Sequence, residues 1–133
     1  MMTWIIAYIA AGVAFVALDA VYVRWAAESL YRPVVGDILA EEFRKGAAAA
    51  FYHIYISGML WFAVRPGVEE GSVATALLNG ALLGGLCYAT FDLTCQAVMK
   101  AWSTRVSVID IAWGAAATAL ASGAACWAAL RLG

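Results

Sequence analysis

Charge is scarce in this sequence: of 133 residues only 13% are Asp, Glu, Lys or Arg, where soluble chains carry ~25%. Its eight Lys and Arg form no basic tract, so nucleic acid is not among the expected partners. Histidine occurs once, at His53, which rules out bis-histidine haem ligation within one chain. No H-E-x-x-H or histidine-rich box offers a metal site, and neither a Ser-His-Asp nucleophile elbow nor a phosphate loop can be found. The three cysteines, Cys87, Cys95 and Cys126, all lie in apolar runs without C-x-x-C or metal-type spacing. They read as small buried hydrophobes. No metal and no cofactor is named by the sequence.

Apolar side chains fill the space that charge leaves. Hydrophobic residues make up 65% of the chain, and the mean hydropathy is +0.84. A domain this short has too little interior to hide so much apolar surface, so lipid must be the solvent for much of it. Bilayer spans need ~20 mostly apolar residues, and four stretches qualify: 3–23, 47–64, 73–97 and 106–130. The first is not read as a cleaved signal peptide, because its first basic residue, Arg24, follows the apolar stretch. A lipid-embedded backbone is satisfied only in helices or closed barrels, and period-2 alternation is lacking. The expected fold is therefore all-α, an integral membrane four-helix bundle forming a single domain over 1–133, with the bilayer as its main partner.

Punctuation marks the span ends. Arg24 closes the first, Arg65-Pro66-Gly67 stops the second, and Ser72 is placed to cap the third beside Glu69 and Glu70. The loops after spans 1 and 3 hold Arg24, Arg32, Arg44, Lys45, Lys100 and Arg105, against only Arg65 and Arg131 on the other side. The positive-inside rule then puts both termini outside a bacterial inner membrane, and the bias argues against dual insertion. Between spans 1 and 2, Leu30, Val34, Ile38 and Leu39 recur at helical spacing, with Arg32, Asp37, Glu41, Glu42 and Arg44 on other faces. With Pro33 suited to a first helical turn, residues 33–45 are expected to form a short interfacial helix. Trp4, Trp25, Tyr31 and Trp102 fit aromatic belts at the two boundaries. Gly80 and Gly84 form a G-x-x-x-G on the third span, and Gly114, Thr118 and Ser122 repeat the small step on the fourth, a pattern that lets membrane helices approach closely.

Each span also carries one ionisable residue: Asp19, His53, Asp92 and Asp110. An Asp at mid-span costs about 2.5–3.5 kcal/mol on insertion scales, so each is a functional-site candidate. They lie five to eight residues from the nearest basic residue of the two positive loops. At ~1.5 Å per residue this sets all four about 7–12 Å below one boundary. Tyr22 stands three after Asp19, Tyr88 and Gln96 stand four either side of Asp92, and Ser57 stands four after His53, each pair on one helix face. Bland readings compete. Ser107-Val108-Ile109-Asp110 fits a capping box, Asp19 can reach Arg24, Asp92 can close a third helix that ends early, and a lone histidine is commonly a hydrogen-bonded interior residue.

Several segments resemble DUF2177, a family of small bacterial membrane proteins of unknown function. They are Leu18-Asp19-Ala20, Tyr31-Arg32, Phe51-Tyr52 with Tyr55 and Gly58, Tyr88-Ala89-Thr90-Phe91-Asp92-Leu93-Thr94, Trp102, and Asp110-Ile111-Ala112-Trp113-Gly114. The resemblance implies a four-span fold and carries no activity. Phe91 stands where that pattern usually has Tyr, Cys95 where it has Asn, and His53 where it has an apolar residue. The candidate catalytic residues are thus Asp92, Asp19 and Asp110, with Tyr88, Tyr52, Tyr22, Trp113, Gln96 and His53 as candidate binding residues. Convergent carboxylates in a low-dielectric layer can relay protons, bind a cation, or serve as acid and base on a lipid. Three function classes follow: an enzyme acting on a lipid or other hydrophobic substrate, a proton- or cation-linked transporter working as a homo-oligomer, and an accessory protein whose aspartates are structural.

Overall fold

A computed structural model describes residues 1–39 and 44–133. Four helices long and apolar enough to cross a membrane make up the architecture: α1 (Met2–Ile38), α2 (Lys45–Glu70), α3 (Val73–Val98) and α4 (Thr104–Leu132). No strand occurs among the described residues. The chain is a multi-pass integral membrane protein built as an all-α four-helix bundle.

Two of these helices are longer than the punctuation suggests, for one shared reason. In α1, α-helix to Ala26 widens into a π-turn over Ala27–Tyr31, resumes at Arg32–Val35 and tightens to a 3-10 turn at Gly36–Ile38. Likewise α2 is α-helical over Lys45–Met59, π over Leu60–Val64 and α again over Arg65–Glu70. Each π-turn ends two residues before a proline, Pro33 or Pro66, the only two in the chain. Proline lacks the N–H for its i−4 carbonyl and clashes with it; a widened turn shifts that carbonyl aside and lets the helix continue. The helical segment expected over 33–45 is present as Arg32–Val35 and the 3-10 turn, running on from α1 rather than starting afresh. Residues 40–43 of that expectation lie outside the described residues. Span 2 passes Arg65-Pro66-Gly67 and stops at Gly71, whose φ of 64° suits glycine. There Ser72 N–H donates to the Gly67 carbonyl at 2.8 Å and Gly71 N–H to Val68 at 3.2 Å, the two bonds of a Schellman motif. Ser72 then caps α3 as expected, its hydroxyl accepting from Thr75 N–H at 3.2 Å.

The bundle is large outside and small inside. Ile54, Leu86 and Val98 are 68–75% exposed on the outer surface, while buried α4 positions are mostly Gly, Ala, Ser and Thr. Such an arrangement would unfold in water but suits lipid, where association depends on close packing. Helix α4 is the common wall, packed along α1 and most extensively along α3. At the α3–α4 seam a Cβ on Gly80 would lie 2.8 Å from the Thr118 carbonyl oxygen, and one on Gly84 would overlap the Gly114 carbonyl. The two small-residue motifs thus face each other. Helix α2 meets α3 mainly through its π-turn and last turns, whereas its first half lies chiefly against α1. Clefts therefore flank that half on both sides.

Candidate functional site

Asp19, Asp92 and Asp110 all point inward, at 6%, 0% and 1% exposure. None of them caps a helix. The α4 N-cap is Ser103, whose hydroxyl accepts from Val106 N–H at 3.2 Å, which leaves Asp110 in the second turn, free to face the bundle. Helix α3 continues six residues past Asp92 to Val98, so Asp92 does not close it. Among the described residues the ion pairs are Arg32–Glu28 and Arg65–Glu69, and no aspartate of the three is in either.

Two tyrosines from α1 converge on Asp110. Tyr22 donates its hydroxyl to Oδ1 and Tyr31 to Oδ2. Tyr22 also stacks on Trp113, one turn further along α4, with centroids 4.7 Å apart and planes 6° from parallel. The Asp92 carboxyl faces that of Asp110 across the α3–α4 seam, and its two oxygens accept from no donor among the described residues. Two neighbouring carboxyls out of water disfavour having both charged, and a shared proton or a cation relieves that. Asp110 receives two O–H groups, whereas Asp92 receives none among the described residues.

Asp19 stands apart from this pair and beside it. It accepts from the Tyr52 hydroxyl at 2.8 Å, and the Trp113 indole lies next to it, its buried Nε1 without a hydrogen-bond partner. Among the described residues no three Asp, Glu, His or Cys gather closely enough to hold a metal. The three aspartates therefore form two neighbouring stations bridged by Tyr22 and Trp113.

The other candidates divide. Tyr52 and Trp113 belong to the Asp19 station and Tyr22 to the Asp110 station, although helical spacing paired Tyr22 with Asp19. Tyr88 packs its ring on Gly114, where any Cβ would collide with it, and its place is beside the cluster. Gln96 is not at the carboxyls. It accepts from Ser107 at 2.7 Å and donates to Thr104 at 3.0 Å, with Trp102 Nε1 donating to Ser107 at 3.0 Å, so this network ties the end of α3 to the start of α4. His53 is exposed on the outer face of α2, its Nδ1 2.7 Å from the Tyr8 hydroxyl. It lies outside the aspartate cluster, although counting residues along the chain set it at the same depth. Tyr31 is the residue that sequence reasoning assigned elsewhere, to an aromatic belt. Its reach to Asp110 depends on the π-turn, which no simple periodicity reveals.

A cavity of about 650 Å³ opens beside the Asp19 station, between α1 and the first half of α2. Asp19, Tyr52 and Tyr31 supply polar wall, Arg32 and Arg44 lie at its membrane-boundary end, and Val23, Ala27, Ala47, Ala48 and Phe51 make the rest apolar. Tyr31 is thus shared: it lines the cavity and donates to Asp110. A second, smaller cleft of about 360 Å³ lies on the α2–α3 side, among Phe51, Tyr55, Cys87, Tyr88 and Phe91. No curated protein and no solved structure matches the chain. The sequence profile of one family, described as predicted membrane proteins, covers residues 4–127 and so takes in all four helices and every residue of both aspartate stations; the chain belongs to that family, DUF2177.

Proposed function

We propose that this protein is a membrane-embedded enzyme performing acid–base chemistry on a lipid or another hydrophobic substrate held between α1 and α2. The observation that carries this reading is a carboxyl group in the wall of an apolar cavity: Asp19, oriented by Tyr52, borders about 650 Å³ of space within the span layer. That volume falls in the range of small-molecule sites. Asp19 is the group that meets substrate. Tyr31, Asp110 and Asp92 lie behind it as a proton store, with Tyr31 the link, because it lines the cavity and its hydroxyl bonds to Asp110. By the positive-inside rule the cavity opens toward the cytoplasmic leaflet of a bacterial inner membrane.

General acid–base catalysis by a positioned side chain contributes about 10²–10⁴-fold. Asp19→Asn keeps the shape and the Tyr52 contact while removing the exchangeable carboxyl proton. In a deletion strain whose lipids and apolar metabolites are compared with wild type, the Asn variant should insert normally and leave the altered species uncorrected. Full correction by Asp19→Asn would sink the enzyme reading. A transport reading has one observation in its favour, the Asp92–Asp110 pair, since two facing carboxyls without a basic partner are what a proton-coupled carrier needs. Under that reading Asp92→Asn abolishes pH-driven uptake into vesicles while Asp19→Asn spares it.

A further inference from the structure

The order of chemistry along the α1–α2 cavity matches one kind of occupant. Arg32 and Arg44 stand at one end, apolar side chains follow, and the Asp19–Tyr52 pair lies beyond them. Arg44 precedes Tyr52 by eight residues, about 12 Å along the helix axis. Two cations separated from a carboxyl by an apolar stretch of that length fit an amphiphile lying parallel to the helices. A wholly polar anion would leave the apolar wall uncovered. The walls come from two helices and the cavity is open rather than sealed, so an occupant can enter sideways from the leaflet.

We propose that this cavity binds one anionic bilayer lipid, its headgroup at Arg44 and Arg32 and an acyl chain against Phe51 and Ala48, reaching the Asp19–Tyr52 pair. Resting on the enzyme reading above, it assigns that site its substrate class. Arg44 is the more selective contact, because the Arg32 guanidinium already holds Glu28 at 3.2 Å. Both arginines are exposed at the membrane end, so their replacement leaves the packed seam intact.

The test is native mass spectrometry of the full chain, delipidated in detergent and titrated with phosphatidylglycerol or with phosphatidylcholine of identical chains. Near a membrane surface each basic residue is worth about fivefold in affinity for an anionic lipid. Phosphatidylglycerol should therefore bind at about fivefold lower concentration or better. Arg44→Gln should lower that preference about fivefold while phosphatidylcholine binding stays unchanged. Ala48→Trp, which fills the cavity from the α2 side, should weaken both lipids. Equal binding of the two lipids by the wild type, or an undiminished preference in Arg44→Gln, overturns the proposal. So does displacement of the lipid by millimolar inorganic phosphate, which would make a soluble anion the ligand. If the lipid preference holds while Asp19→Asn corrects the deletion strain fully, the enzyme reading fails and lipid binding stands. If the preference is absent, lipid binding fails whatever Asp19→Asn does.

Discussion

Removing the two hydroxyls that meet at Asp110 gives the sharpest stability test of the buried layer. Tyr22 and Tyr31 donate to different oxygens of one carboxyl that is 1% exposed. Hydrogen bonds to charged groups are worth about 1.5–3 kcal/mol in soluble proteins, whereas interhelical bonds in membranes average about 0.6 with a maximum near 1.7. Each Tyr→Phe change should therefore cost about 1–2 kcal/mol. The double variant should cost more than the sum, because the second loss leaves a buried carboxyl with no hydroxyl donor, and partners of one group are not independent. Adding Asp110→Asn to the double variant should restore stability, since the carboxyl that needs those donors is gone. Unfolding in mixed micelles with rising SDS, read by the loss of helical circular dichroism, is a direct assay. A double variant within 0.5 kcal/mol of wild type, or one that Asp110→Asn destabilises further, would refute the reasoning.

Three other outcomes follow from the packing. Ser103→Ala should cost about 1 kcal/mol in the same unfolding assay, as loss of a helix N-cap does; no loss would show that the Ser103 bond does not hold the start of α4. Gly114→Ala forces a Cβ into the Tyr88 ring and should cost about 1–3 kcal/mol, part of it recovered by adding Tyr88→Ala. His53→Ala, changing an outer-face residue bonded to Tyr8, should shift stability by less than about 0.5 kcal/mol and leave complementation of the deletion strain intact.

The four spans were legible because a bilayer imposes a length and a solvent, and apolar runs answer to both. The small-residue seam was legible for a similar reason: Gly80, Gly84, Gly114 and Thr118 recur at the helical step, and the structure opposes them. Helix ends were harder to read. Pro33 and Pro66 look like terminators to a rule based on the α-helical hydrogen bond, yet each is absorbed by a π-turn just before it. Depth of the acidic residues could be counted along the chain, but orientation could not, because azimuth depends on how four helices turn toward one another. That is why His53 shared a level with the aspartates and faces outward, why Tyr22 serves Asp110 and not its own helix neighbour Asp19, and why Tyr31 was missed. A cavity bordering Asp19 is still less visible, arising from the space left between α1 and the first half of α2.

The central position of α4 has a consequence for biogenesis. Helices leave the ribosome in order, at about 5–20 residues per second, and the wall shared by α1 and α3 is the last of the four to emerge. Until then Tyr22 and Tyr31 lack Asp110, and Gly80 and Gly84 lack the α4 backbone they pack against. Asp92 waits through the 40 residues to Leu132, a delay of about 2–8 s. The first three spans thus form a nascent intermediate with an unmatched acid in the bilayer, a period in which a chaperone or membrane protease can act on chains that never receive their fourth helix.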